Sequence, residues 1–138
     1  MEAKDVSPVT YAELESVYNE SYRELRRHLA TVGYQIVRAQ AAVEAAKATF
    51  IIDTYPTILQ TLPRALQSQA STLNAHLSRC DEYTSALDRL GMLKAVEALL
   101  DGKVKTFEKT CQFMRKRMDL IIRSGLSGAD LYVTSGRK

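Results

Sequence analysis

No proline stands between Pro8 and Pro56, and across that gap the apolar residues keep a strict spacing. Tyr11, Leu14, Tyr18, Tyr22, Leu25, Leu29, Val32, Ile36, Ala39, Val43, Ala46 and Phe50 follow one another in steps of three or four. Residues three and four apart share one side of an α-helix, so the pattern draws a single coiled-coil-like seam along one long helix. Two successive four-residue steps, Leu14 to Tyr18 to Tyr22, form a stutter near its start. Gly33 costs about 1 kcal/mol relative to alanine, too little to stop a helix of this length. Thr10 with Glu13 reads as a capping box at its beginning. The spacing predicts a helix over residues 11–53.

"DTYPTILQTLP" is the first break, because Pro56 disfavours helix at Tyr55 and suits the first turn of a new helix. A second seam follows: Leu59, Leu62, Leu66, Ala70, Leu73, Leu77, Cys80, Thr84 and Leu87. A third runs Leu93, Val96, Leu100, Val104, Phe107, Cys111, Met114, Met118 and Ile121. Between them the spacing slips at Gly91, which predicts helices over 57–90 and 92–124 with a turn at Gly91 and a weak point at Gly102. The reverse assignment of those two glycines is the alternative. Gly125 and Leu126 read as a helix stop. Short connections make consecutive long helices antiparallel neighbours. The fold expected is all-α: an elongated antiparallel three-helix bundle with coiled-coil-like packing and an extended C-terminal tail. Residues 10–124 form its single domain, residues 1–9 an N-terminal arm and residues 125–138 the tail. "DLYVT" has strand character, so the tail is either free or an arm that docks on a neighbouring subunit.

Composition narrows the setting. Six glycines and three prolines in 138 residues leave room for few turns, as long helices require. The net charge of +3 is too small to declare a nucleic-acid binder. The N-terminal segment is charged and lacks an apolar stretch of signal-peptide type, and no run of 18 apolar residues exists to span a membrane. Cys80 and Cys111 stand far apart on apolar helix positions and read as buried reduced thiols. These features lead to the expectation of a soluble, cytoplasmic protein.

Helix 1 carries more apolar surface than its seam uses. Ala30, Tyr34, Val37, Ala41, Ala45, Ala48 and Ile52 form a second line, in steps of three and four, on the side away from the first. Alanine alone is a good helix former that tolerates water. Tyr34, Val37 and Ile52 on the same line point instead to a subunit interface, with Phe113 and Leu120 on the last helix as a weaker counterpart. Residues 48–78 carry only Asp53 and Arg64 as acidic or basic charges, and Ile51, Tyr55, Ile58 and Leu59 make the turn there an apolar tip for a partner. The tip lacks the flanking Lys and Arg of a membrane-surface helix.

Charge divides by region. Residues 1–22 carry Glu2, Asp5, Glu13, Glu15 and Glu20 against Lys4 alone. The last helix is basic, with Lys105, Lys109, Arg115, Lys116, Arg117 and Arg123 as candidate phosphate contacts. The two segments can instead pair with each other. With Phe107 on the seam, aromatic partners for base stacking are limited to Phe113 and Tyr132, which disfavours base-specific readout. The ending "FMRKRMDLIIRSGLSGADLYVTSGRK", residues 113–138, resembles the C-terminal end of phage recombination mediators. That resemblance implies a small all-α oligomer that binds single-stranded DNA; helices 1 and 2 do not share it, and no residue roles follow from it.

Of the only two histidines, His28 has no carboxylate or cysteine three or four residues on, and His76 has Cys80 four on, a single pair short of the three or four ligands a metal site needs. No glycine-rich phosphate loop, nucleophile elbow or paired-carboxylate motif occurs. The sequence therefore predicts a non-enzymatic helical subunit of a homo-oligomer or larger assembly, structural or adaptor in role. Its partner is itself or another protein, with no cofactor, metal or small-molecule substrate. The alternative is a nucleic-acid-binding accessory protein of the recombination-mediator kind, using the basic face of the last helix.

Overall fold

The computed structural model describes the backbone of residues 8–135 and the side chains of residues 9–124. It is almost entirely helical, with no strand among the described residues. The elements are α1 (Pro8–Thr49), a π-helical turn (Phe50–Thr54), α2 (Tyr55–Thr61), α3 (Arg64–Gln67), α4 (Ala70–Leu77) and α5 (Asp81–Ser135).

α1 follows the first seam closely. All twelve seam residues from Tyr11 to Phe50 are buried or half-buried, and Gly33 lies inside the helix. The helix opens at Pro8, where a proline's fixed φ suits the first turn, so Thr10 lies within that turn rather than capping it. The π turn then rephases the chain. In a regular α-helix, residues five apart sit about 140° apart. A bond from the Tyr55 amide to the Phe50 carbonyl widens the turn, and both rings face inward at 6.1 Å between centroids.

The middle of the chain departs from the three-helix expectation. Residues 57–90 do not form one helix. Leu62 and Pro63 are extended, with ψ of 147° and 142°, as steric pressure from a proline on the residue before it favours. The Gln67 side-chain amide donates to the carbonyl of Leu62 and to that of Leu59, which also accepts from the Leu62 amide, and so ties down the end of α2. A turn at Ser78–Cys80 separates α4 from α5, and Asp81 and Glu82 favour the helix start that follows.

Gly91 and Gly102 are both inside α5, so the expected turn at Gly91 is absent. The inward line of α5 runs Tyr83, Ala86, Leu90, Leu93, Glu97, Leu100, Val104, Phe107, Cys111, Met114 and Met118, alternating steps of three and four without a break. Leu87 and Val96, assigned to seams from the sequence, are exposed. α5 also continues as helix to Ser135 where an extended tail was expected.

The chain forms two compact units. One, Arg27–Leu100, holds the end of α1, the elements from the π turn to α4, and the start of α5. Phe50, Tyr55 and Leu77 form its buried cluster, with Ile58, Leu59, Leu73, Cys80 and Tyr83 packed around them. The other unites the residues up to Arg26 with those from Asp101 onward. There α1 and α5 run antiparallel: Glu15 meets Arg115, and further along α1 Tyr22 meets Glu108. Of the domain boundaries expected, the arm over residues 1–9 lies almost wholly outside the described residues.

Candidate interaction surface

The second line of α1 lies in the unit Arg27–Leu100, and all seven of its residues, Ala30, Tyr34, Val37, Ala41, Ala45, Ala48 and Ile52, are exposed. Tyr34 is 65% exposed, Val37 62% and Ile52 71%. The cause is local: with Ile36, Ala39 and Val43 committed inward, a helix of 3.6 residues per turn must send this second set outward. Only Arg38, Glu44 and Lys47 carry charge between Leu29 and Ile52, and none lies on the line.

α5 adds a surface that the sequence reading missed. Met92, Val96 and Leu99, in steps of four and three, are all exposed in the same unit. The signal was present in the adjacent pair Leu99 and Leu100, since two neighbours on a helix cannot both face one seam.

The apolar tip is largely covered from within. Tyr55 is buried, and Ile58 and Leu59 pack against the Phe50–Tyr55–Leu77 cluster, which leaves Ile51 beside Ile52 as its exposed side chains. Phe113 and Leu120 are exposed on α5 in the other unit, together with Ile121 and Ile122.

The basic residues divide. Lys105 pairs with Asp101 at 2.6 Å, and that carboxylate holds its ammonium above the usual lysine value. Arg115 lies 3.5 Å from Glu15, so one member of the basic run pairs with the acidic start of α1. Lys109, Lys116, Arg117 and Arg123 are exposed. Tyr22 donates its hydroxyl to Glu108 at 2.7 Å, which raises the phenol's pKa, and the Arg26 guanidinium sits 6.0 Å from its ring centroid. Tyr11 is raised too, first by desolvation and then by Glu15. Tyr18 and Phe107 pack at 5.4 Å with their rings tilted 57°.

An open groove of about 290 Å³ in the unit Arg27–Leu100 is lined by Gln35, Arg38, Ala39, Ala42, Ala86 and Arg89. Its two guanidinium groups stand on an alanine floor, with no titratable partner suited to bond-making chemistry. Among the described residues, no group of three or more His, Cys, Asp and Glu is placed to hold a metal ion. His28 is exposed and His76 half-buried, and Cys80 and Cys111 are half-buried free thiols. No helix among the described residues is long and apolar enough to cross a membrane. Comparison with known families, with characterised proteins and with solved structures returns no match.

Proposed function

We propose that this chain is a non-enzymatic helical subunit that works by packing against other protein surfaces, as a structural or adaptor component of a homo-oligomer or larger assembly. One observation carries the reading. Among the described residues eight hydrophobic side chains are buried, whereas fifteen large hydrophobic ones are exposed. Isolated exposed apolar residues are ordinary, but here they line up along α1 and α5, and contiguous apolar surface marks interaction sites. A cytoplasmic setting belongs to the same reading, supported by two free thiols.

Light scattering on the purified chain at micromolar concentration tests the proposal. An oligomer is expected, and Val37→Asp should shift it toward monomer while leaving the helical circular dichroism unchanged. Unfolding of that variant would place Val37 in a core and remove the argument.

The exposure of Lys109, Lys116, Arg117 and Arg123 favours a second reading, in which the basic side of α5 binds the backbone of single-stranded DNA. Repetition of a weak site in an oligomer raises its avidity. Binding should then fall steeply with salt and be lost in Lys109→Glu with Lys116→Glu. Salt-insensitive binding rules this reading out.

A further inference from the structure

The exposed line on α1 is symmetric in a way its mean hydropathy does not reveal. Ala41 lies at its centre. Val37 and Ala45 each stand four residues from it, Tyr34 and Ala48 seven, and Ala30 and Ile52 eleven. At every one of these distances a large side chain on one side is matched by an alanine on the other. Resting on the self-assembly reading above, we propose that a second copy of this chain covers this face end for end, its α1 antiparallel to the first on a two-fold axis at Ala41.

In that arrangement Val37 lies over Ala45 of the second copy, Tyr34 over its Ala48 and Ile52 over its Ala30, each contact made twice by symmetry. Such an isologous contact needs one self-complementary patch and nothing else. Large side chains fill the spaces above alanines, so the helix axes approach at the near end of the usual 8–10 Å range. A parallel pairing would stack Tyr34 on Tyr34 and Ile52 on Ile52, holding the helices apart and leaving voids at every alanine level.

Cysteine cross-linking reads the register directly, because a disulfide needs Cα atoms within about 7 Å. Tyr34, Ala41 and Ala48 are exposed, so replacing them leaves each unit's own core intact. Ala41→Cys alone should form a disulfide-linked dimer under mild oxidation, several-fold above the native chain, whose Cys80 and Cys111 set the background. Ala48→Cys alone should stay at that background, yet cross-link when mixed with Tyr34→Cys. If the native chain scatters as a monomer, this proposal and the self-assembly reading both fall. If it is an oligomer but Ala41→Cys stays at background, or Ala48→Cys links to itself, the self-assembly reading stands and this face and register are overturned.

Discussion

The two units place the same two helices side by side with different chemistry. In Arg27–Leu100 the inward residues of α1 are aliphatic and often small, with Ile36, Ala39 and Val43 all buried. A separate cluster at Phe50, Tyr55 and Leu77 adds to that core. In the other unit only Val104 and Met118 are buried among the described residues, and the cross-helix ties are aromatic and polar. Tyr18 packs on Phe107, Tyr22 bonds Glu108, and Glu15 meets Arg115. One unit depends on excluding water, the other on individually placed contacts at a partly wet seam. The first is therefore sensitive to lost volume, the second to lost partners and to pH.

Truncation at the most buried positions is the strongest way to break this contrast. Leu77→Ala, at a site 2% exposed, should cost about 3 kcal/mol, read as a fall in the denaturant midpoint. Val104→Ala in the other unit, equally buried, should cost about 2 kcal/mol, because fewer methylenes are lost. A larger loss at Val104 would reverse the ranking. Next in size, a double-mutant cycle on Tyr18→Leu and Phe107→Leu should show a coupling of about 1 kcal/mol, and zero coupling would mean that this contact is area alone.

The glycines test continuity rather than packing. A Cβ at Gly33, Gly91 or Gly102 meets nothing within 4 Å, and each lies inside a helix. Alanine at each should stabilise by up to about 1 kcal/mol. A thermal melt that falls for Gly91→Ala would restore the turn that the sequence suggests there.

The smallest effect concerns alkaline pH. Because the bond to Glu108 raises the Tyr22 phenol above 10.0, the folded chain keeps that proton longer than the unfolded one. The stabilisation is complete below that pH and is lost as pH rises through the folded value. Lys105, raised by Asp101, acts in the same direction. Tyr22→Phe should flatten the decline in denaturant midpoint between about pH 9 and about pH 11, and an unchanged slope would separate the phenol from the decline.

Much of this was legible in the sequence, though unevenly. The α1 seam could be read because large residues occupy most of its positions, but the prolines mislead: the chain stays helical through Tyr55 and Pro56 and breaks at Leu62 and Pro63, inside the helix expected over 57–90. The α5 seam was misread because Ala86 and Glu97 hold two of its inward positions, while the larger Leu87 and Val96 face solvent. A glutamate can lie along a seam by laying its methylene stem on apolar neighbours, which a search for bulky residues passes over. Treating Val96 as inward then made Gly91 look like a turn. At the candidate surface, the exposure of Tyr34, Val37 and Ile52 follows from phase alone. The inward turn of Tyr55 does not, since it depends on the π turn, for which residues 50–54 offer no short motif.

That π turn also bears on how the chain's length can vary. Along the regular helices an insertion or deletion keeps the inward line without local unwinding when it comes in sevens, taken from α1 and α5 together. Phe50–Thr54 already holds one residue more than an α-helical turn needs. Losing a single residue there would wind the segment into ordinary helix, leaving α1 intact while turning Tyr55 out of the cluster it shares with Phe50 and Leu77. Relatives of this chain should therefore differ in shaft length by paired heptads and hold the spacing from Phe50 to Tyr55 fixed.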